Sequence, residues 1–293
     1  MPSIRQNKST FIASIKMENL ANLPTEAINP ATVNLSRVST REALLLINDE
    51  DHKVAPAVRL VTDKIADAVD AIAARIQNGG RLFYIGAGTS GRLGVVDASE
   101  CPPTFGTPPE WVQGIIAGGP EAVFRSMEGA EDDSAAGAAA LRERNLSEKD
   151  CVIGIAASGR TPYVLGALEY ARLLGALTGG ITVNPDAAIK PWCDYFIAPE
   201  VGPEAVTGSS RMKAGTAQKL VLNMISTGVM LRLGRVEGNL MSDVQQWCGK
   251  LQDRAVRIVM ELAKVDAGVA QDALNKNNGD VRKATAALRD KIG

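Results

Sequence analysis

Short apolar runs that alternate with helical stretches fill the middle of the chain, and this alternation constrains the fold more than any other feature. The apolar runs are 81–86, 111–117, 151–157, 180–183 and 195–198. Helical spacing occupies most of the intervals, from 121 to 128 and onward, over 135–144 and over 162–174. Short buried strands that alternate with helices are typical of a parallel sheet covered on both faces. The sequence therefore predicts an α/β protein, a three-layer αβα sandwich of the flavodoxin-like kind with a five-stranded parallel sheet.

Further helices are predicted on the amino-terminal side of this region. Ser39 followed by Glu42 is a capping-box signal, which predicts a short helix through Asn48. Apolar residues then recur at helical spacing over 54–77, and Asn78-Gly79-Gly80 ends the pattern. We therefore expect one long amphipathic helix here.

The carboxyl-terminal part of the chain is also predicted to be helical. Residues 215–233 leave little polar face, which favours burial in a core or in a subunit interface. Residues 254–293 resemble a small helical appendage with an Asn-Gly-Asp turn at 278–280. We predict an amino-terminal arm with a short helix over 1–53, an α/β domain over 54–240 and a helical subdomain over 241–293.

Charge and hydropathy exclude several classes of function. The 293 residues include 32 basic and 33 acidic side chains, a formal net charge of −1. Binding to nucleic acid or to an anionic membrane surface needs a positive excess, so neither partner is expected. No stretch approaches the ~18 apolar residues of a transmembrane helix, and the first 20 residues lack the apolar region of a signal peptide. These features predict a cytoplasmic protein.

Cysteine and histidine usage limits the chemistry that the chain can perform. Cys101, Cys151, Cys193 and Cys248 are scattered without a CxxC pair, so we expect free thiols. His52 is the only histidine, and it lies in a polar run that favours a solvated surface position. This composition predicts no zinc site and no histidine-dependent nucleophile, and it leaves carboxylates as the acid–base groups.

Two strand-to-helix turns have the composition of phosphate-binding loops. The first loop, residues 86–92, reads Gly-Ala-Gly-Thr-Ser-Gly-Arg, and the second loop, residues 157–162, reads Ala-Ser-Gly-Arg-Thr-Pro. Free backbone N–H groups at a helix start favour an anion, and serine or threonine hydroxyls add donors. A third loop, residues 207–213, reads Thr-Gly-Ser-Ser-Arg-Met-Lys. The alternative is that Ser90 and Ser158 only cap helices.

The first loop also contains the literal pattern GxGxxG, but a dinucleotide site is not favoured. That fingerprint needs an acidic residue about 20 residues later, at the end of the next strand. The corresponding strand here ends in Ile116-Ala117-Gly118-Gly119, and the next acid is Glu121. A Walker loop is excluded as well, since Gly91 is followed by Arg92-Leu93. A compact phosphoester is the better match.

Four motifs together resemble one bacterial family. They are the first loop, Ala-Ser-Glu-Cys-Pro-Pro-Thr at 98–104, Ala-Ala-Ser-Gly-Arg-Thr-Pro-Tyr-Val at 156–164 and Gly-Pro-Glu-Ala-Val-Thr-Gly-Ser-Ser-Arg-Met-Lys-Ala-Gly-Thr at 202–216. In this order they resemble the N-acetylmuramic acid 6-phosphate etherases of the sugar isomerase (SIS) superfamily, and the similarity extends from about residue 25 to the carboxyl-terminal helices, nearly all of the chain. The resemblance implies cleavage of a D-lactyl ether into N-acetylglucosamine 6-phosphate and D-lactate, with no metal or organic cofactor. It also implies a homodimer and a UBA-like carboxyl-terminal subdomain.

The resemblance assigns roles to two glutamates. Glu100 matches the family's proton donor. It precedes Cys101-Pro102-Pro103, which is predicted to end the helix that starts at the first loop, so we expect Glu100 in the last turn of that helix. Glu131 matches the second catalytic glutamate, and helical spacing would place Glu128 beside it, where we expect contacts to sugar hydroxyls. Without the resemblance, Glu128 and Glu131 would be taken for part of a solvated acidic cluster. The other predicted binding residues are Thr89, Ser90, Gly91, Ser158, Gly159, Arg160, Thr161, Glu204, Ser209, Ser210 and Lys213.

Two other functions remain open at this point. A sugar-phosphate sensor similar to the glucokinase regulatory protein would keep the serine turns but would not need an acid at Glu100. An aldose–ketose isomerase would share the phosphate loops but lack the Ala-Ser-Glu-Cys-Pro-Pro motif. The presence of both Glu100 and Glu131 favours the etherase.

Overall fold

A parallel five-stranded sheet forms the centre of the molecule, as the sequence predicts. A computed structural model describes residues 23–241 and 249–290. The strands are β1 (Leu82–Gly86), β2 (Val112–Ile116), β3 (Cys151–Ile155), β4 (Leu177–Ile181) and β5 (Tyr195–Ile197). Their order in the sheet is β2-β1-β3-β4-β5, and every pairing is parallel.

Helices cover both faces of this sheet. Those described are α1 (Thr40–Asp51), α2 (Val54–Arg59), α3 (Thr62–Gln77), α4 (Gly88–Phe105), α5 (Ser134–Glu143), α6 (Pro162–Leu174), α7 (Lys213–Arg232), α8 (Gly249–Ala263), α9 (Ala267–Lys276) and α10 (Val281–Arg289). Leu82 and Tyr84 of β1 pack into one apolar cluster with α2, α3, α4 and α7. Phe83 and Ile85 point to the opposite face and pack with α5 and α6. The three-layer αβα sandwich is therefore confirmed.

The strand order creates a switch point between β1 and β3. The chain passes from β1 outward to β2, and it then crosses to the other side of β1 to form β3. Gly86 and Ile155 pair at the carboxyl ends of these two strands. The first and second loops therefore begin side by side, at the place where open α/β sheets bind ligands.

The long helix predicted over 54–77 is wrong in one respect, because the structure divides it into α2 and α3. Val61 departs from helical geometry, with φ −110° and ψ 11°. The hydroxyl of Thr62 donates to the carbonyl of Arg59 at 2.9 Å. Local side-chain bonding of this kind competes with the helical ladder, which explains the break.

The fourth strand begins earlier than the sequence indicates, at Leu177 rather than at residue 180. Gly179 and Gly180 lie inside the strand because neighbouring side chains occupy the space that a Cβ would need. A Cβ at Gly179 would lie 2.4 Å from Ile153, and one at Gly180 would lie 2.6 Å from the sulfur of Cys193. Packing across the sheet therefore overrides the low strand propensity of glycine.

The prediction that Cys101-Pro102-Pro103 ends the helix is also wrong. Helix α4 continues through both prolines to Phe105. Cys101 and Phe105 are buried in the core and anchor the last turn. Gly106, at φ 62°, ends the helix and donates its N–H to the carbonyl of Pro102.

The predicted helix over 121–128 is replaced by two short 3₁₀ turns, Pro120–Val123 and Ala130–Asp132. Gly118, Gly119 and Gly129 adopt positive φ angles of 86°, 76° and 73°. A regular helix cannot pass through these positions. Glu128 and Glu131 are consequently not neighbours on one helical face, contrary to the spacing argument.

The terminal helices agree with the sequence pattern. Ser39 and Glu42 form the predicted capping box at the start of α1. Helices α8, α9 and α10 enclose an apolar cluster of their own, and the predicted turn occurs at Asn278 and Gly279, whose φ angles are 53° and 79°. The division of the chain at residues 53 and 240 stays a prediction. The predicted arm before residue 23 and Cys248 lie outside the described residues.

Candidate active site

The three predicted loops gather at the carboxyl edge of the sheet. The first loop follows β1 and the second follows β3, and these strands are neighbours. The third loop leads into α7, where a Cβ on Gly215 would lie 3.5 Å from the methyl carbon of Thr89 and 3.6 Å from the carbonyl oxygen of Ser210. Thr89 and Ser210 are therefore close together, and the structure joins the first and third loops.

The first loop offers backbone donors rather than a free serine hydroxyl. Ser90 is buried, and its Oγ donates to Oε1 of Gln218 on α7 at 2.9 Å. Gly91 packs against the backbone of Gly86, since a Cβ there would lie 2.7 Å from the Gly86 oxygen. No side chain caps the start of α4 at Ala87. The first N–H groups of this 18-residue helix therefore remain available to an anion.

The second loop is shaped by Gly159, which has φ 67° and would place a Cβ 2.2 Å from that of Ala187. Ser158 accepts a hydrogen bond at Oγ from the N–H of Arg160 at 3.3 Å. Ser158, Arg160 and Thr161 are partly exposed, and Thr161 forms no side-chain cap at the start of α6. A second uncapped helix start thus lies beside the first.

The third loop is fixed by charges in the interior. Lys213 is 1% exposed, and its Nζ lies 2.6 Å from Oε2 of Glu50. Glu204 is equally buried and accepts hydrogen bonds from the backbone N–H groups of Lys213 at 2.8 Å and Ala214 at 2.9 Å. We call Glu50, Lys213 and Glu204 the charge triad. Ser209 and Ser210 remain partly exposed above it.

Burial and hydrogen bonding shift the two triad carboxyl groups in opposite directions. Burial raises the pKa of Glu50, but hydrogen bonds from Lys213, Lys53 and Asn29 outweigh this effect and lower its pKa from 4.5 to about 2. Burial raises the pKa of Glu204 above its ordinary value, against the hydrogen bonds from Ala214 and Lys213. Lys213, one of the predicted binding residues, therefore has its counter-ion inside the protein.

Sequence reasoning did not identify Glu50 as a partner of Lys213. Glu50 belongs to an acidic run that is typical of a solvated surface, and it is 163 positions away from Lys213 in the chain. The segment before α1 also packs on the approach to the third loop. Asn29 Nδ2 donates to the carbonyl of Pro203 at 3.1 Å, and Thr32 Oγ1 donates to that of Ala205 at 2.8 Å. No local pattern in the sequence reveals these long-range contacts.

A small cavity brings Glu128 and Glu131 to the first loop. Its volume is about 130 Å³, and it is lined by Ala87, Gly88, Arg92, Ala117, Ala122, Ser126, Met127, Glu128, Gly129, Ala130 and Glu131. Both glutamates are exposed. Ligand clefts usually start at about 300 Å³, so this cavity accommodates part of a sugar phosphate. It joins two carboxylates to an uncapped helix start, an arrangement suited to acid–base chemistry on a phosphorylated substrate.

Glu100 does not lie with these groups in the same chain. It is exposed on α4, twelve residues beyond Gly88, which corresponds to roughly 18 Å along a helix. Because α4 connects two parallel strands, it runs back toward the opposite edge of the sheet. Its predicted place in the last turn is wrong as well, because α4 ends five residues later at Phe105. The structure thus separates the two predicted catalytic glutamates.

The described residues offer no obvious metal centre. Within 23–241 and 249–290, no group of three or more His, Cys, Asp or Glu side chains is placed to bind an ion. His52 is exposed on the surface as predicted. In the same part of the chain, every helix is too short or too polar to cross a bilayer.

Comparisons with known proteins give a consistent result. Family models described as the glucokinase regulatory protein N-terminal SIS domain and as the SIS domain match residues 64–172 and 133–227. The N-acetylmuramic acid 6-phosphate etherase of Clostridium beijerinckii is 55% identical over 274 residues, 94% of this chain and 90% of the relative. The enzyme of that name from Pectobacterium atrosepticum is 55% identical over 275 residues, 94% of this chain and 91% of the relative.

Solved structures share the fold at much lower identity. A Bacteroides fragilis protein, named as a phosphosugar isomerase involved in capsule formation, superposes with a TM-score of 0.50 and 19% identity. The match covers 67% of this chain and 92% of that protein. At this identity the likeness supports the SIS-type architecture and nothing more specific.

Proposed function

The chain belongs to the family of N-acetylmuramic acid 6-phosphate etherases, and from this premise we propose that it cleaves the D-lactyl ether of its substrate by elimination followed by addition of water. One observation carries the proposal. Glu131 lines a cavity that also contains the uncapped start of α4, so a carboxylate and an anion site face the same space. The products are N-acetylglucosamine 6-phosphate and D-lactate.

Elimination avoids the slow displacement of an alkyl ether by water. Opening of the pyranose ring gives an aldehyde at C1, which makes the proton at C2 acidic. A base removes this proton, a C2–C3 double bond forms, and the C3–oxygen bond breaks with its electron pair going to the lactate oxygen. An acid protonates that oxygen. Water then adds, with hydroxide to C3 and a proton to C2, and the two carboxyl groups serve both halves in exchanged protonation states.

We assign the base at C2 to Glu131 and the proton donor to Glu100. We assign Glu128, which lines the same cavity, to accepting hydrogen bonds from sugar hydroxyls. The phosphate lies at the starts of α4 and α6, where Thr89, Ser158 and Thr161 are partly exposed. No metal or organic cofactor takes part in this mechanism.

Glu100 lies roughly 18 Å along α4 from Gly88 at the start of the helix, so its assignment as the proton donor requires a second subunit. We propose a homodimer in which Glu100 of the partner subunit completes each site. An apolar groove of about 1510 Å³ runs between α2, α3 and α7, and Met224 and Leu231 line it with 39% and 49% of their surfaces exposed. Most of the predicted apolar face of α7 is buried within its own chain. The groove is the surface that supports pairing.

Incubation with N-acetylmuramic acid 6-phosphate, with D-lactate measured enzymatically, tests the activity. We expect release of lactate from the phosphorylated sugar and very little from the free sugar. Equal rates for both would contradict the phosphate site. Binding without turnover would instead indicate a sensor, which the identity to etherases does not favour.

A mixture of Glu100→Gln and Glu131→Gln chains tests the shared site. Each variant alone is expected to be inactive. If the glutamates come from different subunits, random pairing of equal amounts restores about one quarter of the sites, since each mixed dimer has one intact site. No recovery in mixed dimers, after exchange of subunits is demonstrated, would place both glutamates of a working site on one chain.

A further inference from the structure

Arg92 connects the first loop to the segment that carries Glu131. We call residues 118–131 the glutamate segment. Arg92 lies on α4, and its Nε donates to the carbonyl of Val123 at 2.9 Å while its Nη2 donates to that of Arg125 at 3.3 Å. Among the residues that the structure describes, both side-chain hydrogen bonds that reach this segment from another element come from Arg92. It is the cross-link between the two parts of the cavity.

The glutamate segment has little other support. It contains the first 3₁₀ turn, the start of the second and three glycines at positive φ, and Phe124 is 84% exposed. Ala122 is its one buried residue, and the partly buried Ala130 packs against the apolar cluster that contains α5 and α6. Segments with few buried contacts and exposed backbone have low local stability, so a single tertiary anchor has a large influence on their geometry.

A second anchor follows the segment at the start of α5. Ser134 packs so closely on α6 that a Cβ on Gly166 would lie 2.0 Å from its carbonyl oxygen. Asp133 caps this helix by accepting a hydrogen bond from the N–H of Ala136. Glu131 therefore lies between a point fixed by Arg92, at Arg125, and a point fixed by helix packing, at Ser134.

We propose that Arg92 is a positioning residue that holds Glu131 in its catalytic geometry by binding the backbone of the glutamate segment. This inference rests on the proposed function of Glu131. An arginine at the end of a predicted phosphate loop would ordinarily be assigned to the anion. Here Nε and one terminal nitrogen of the guanidinium are occupied by the two carbonyls, so its effect should fall on turnover rather than on substrate binding.

Three variants separate these roles in steady-state kinetics. In Arg92→Ala we expect kcat to fall by about 10²-fold with KM changed by less than roughly threefold, because misplacement of a catalytic group by about 1 Å has this effect. Arg92→Lys keeps the charge but lacks the planar fork that reaches both carbonyls, so it should behave like the alanine variant. Arg125→Ala is the matched control, since it removes a neighbouring exposed charge and leaves the accepting carbonyl in place. It should match the wild type.

Hydrogen exchange supplies a readout that does not depend on activity. Amides of the glutamate segment should exchange faster in Arg92→Ala, while those of β1 and β3 stay protected. Unchanged exchange in the segment would overturn the proposal, as would a rise in KM at constant kcat that lysine rescues, which would assign Arg92 to the phosphate. If the wild-type protein releases no lactate, the proposed function fails, and the exchange experiment still decides whether Arg92 holds the segment.

Discussion

The third loop and the glutamate segment both adjoin the first loop, yet different kinds of interaction support them. The third loop continues into α7 over the charge triad, whose three residues are each no more than 2% exposed. The glutamate segment is almost entirely exposed and receives its cross-link from one arginine. The charge triad contains no exposed carboxylate, whereas the glutamate segment presents two exposed carboxylates at the cavity, Glu128 and Glu131.

This difference separates the proposed anion site from the proposed catalytic glutamate Glu131. Buried ion pairs are costly to break and hold the backbone in one place, which suits the proposed role of these loops in presenting N–H groups to a phosphate. Glu128 and Glu131 lie on a segment that can adjust around a substrate larger than the cavity of about 130 Å³. The comparison predicts that changes on the two sides will affect different quantities, stability on one and turnover on the other.

The largest effect on activity is expected from a substitution in the glutamate segment. Glu131→Gln removes the proposed base without changing the shape of the side chain, and general acid–base groups contribute about 10²–10⁴-fold to rate. We expect loss of both lactate release and exchange of the C2 proton with deuterium, followed by NMR with bound substrate. Glu100→Gln should abolish lactate release but leave C2 exchange detectable, because proton abstraction precedes departure of lactate.

Glu121→Gln is the matched control for this pair, since it neutralises another exposed carboxylate of the same segment that does not line the cavity. It should retain activity. Exchange that is lost in Glu100→Gln and retained in Glu131→Gln would mean that the two roles are reversed. Full activity in either variant would remove that residue from the mechanism.

In the charge triad, the largest effect should be on the free energy of unfolding. Lys213→Met keeps the length of the side chain but leaves Glu50 without its buried counter-ion, and removing one partner of a buried pair costs about 3–5 kcal/mol. Urea denaturation measures this loss. Lys53→Met removes the other partner of Glu50, which is 57% exposed, and should cost about 0–1 kcal/mol. Equal losses in the two variants would contradict the distinction between buried and exposed partners.

The pH dependence of stability gives a second measure of how much the buried Glu50 carboxylate stabilises the folded state. The folded-state pKa of Glu50 is about 2 against an ordinary value of 4.5, so its ionisation stabilises the folded state above pH 4.5 and this contribution is lost as the pH falls toward 2. The shift corresponds to about 3 kcal/mol at neutral pH, and more than half of it should be lost by about pH 3. The raised pKa of Glu204 acts in the opposite sense, because protonation of that carboxyl favours the folded state as the pH falls.

Glu50→Gln isolates the contribution of Glu50 from that of Glu204. The difference in unfolding free energy between wild type and variant should be largest near neutral pH and should shrink steadily below pH 4.5. Denaturation curves at a series of pH values measure it. A difference that does not depend on pH would show that the Glu50 carboxylate makes no titrating contribution.

The sequence predicts the sheet well, because each strand is a local apolar run. It does not predict features that depend on contacts between residues far apart in the chain. Helix α4 passes through Pro102 and Pro103 because Cys101 and Phe105 are buried against other elements. Glu50 and Lys213, in contrast, have no local signal, since a charged residue in an acidic run is usually solvated. Chain order alone could not show that the two meet in the interior.

The sequence likewise predicts the loops of the candidate site but not the positions of its glutamates. The three loops were predicted from their glycine and serine content; the sheet order places the first and second side by side, and the start of α7 brings the third to the first. The positions of the glutamates depend instead on where α4 ends and on glycine geometry at Gly118, Gly119 and Gly129. Helical spacing suggested that Glu128 and Glu131 share a face, whereas a turn between them brings both into one cavity.

The smallest effects should come from the two loop serines, which differ in burial. Ser90→Ala leaves Gln218 without the partner of its Oε1 in the interior, and an unsatisfied buried group costs about 1–3 kcal/mol. We therefore expect Ser90→Ala to lower the unfolding free energy and to loosen the contact between the first loop and α7. Ser158 is partly exposed and accepts a bond from the Arg160 N–H, so Ser158→Ala should chiefly raise KM for the phosphorylated sugar. Urea denaturation and steady-state kinetics on both variants distinguish these outcomes, and a larger stability loss in Ser158→Ala would reverse the assignment.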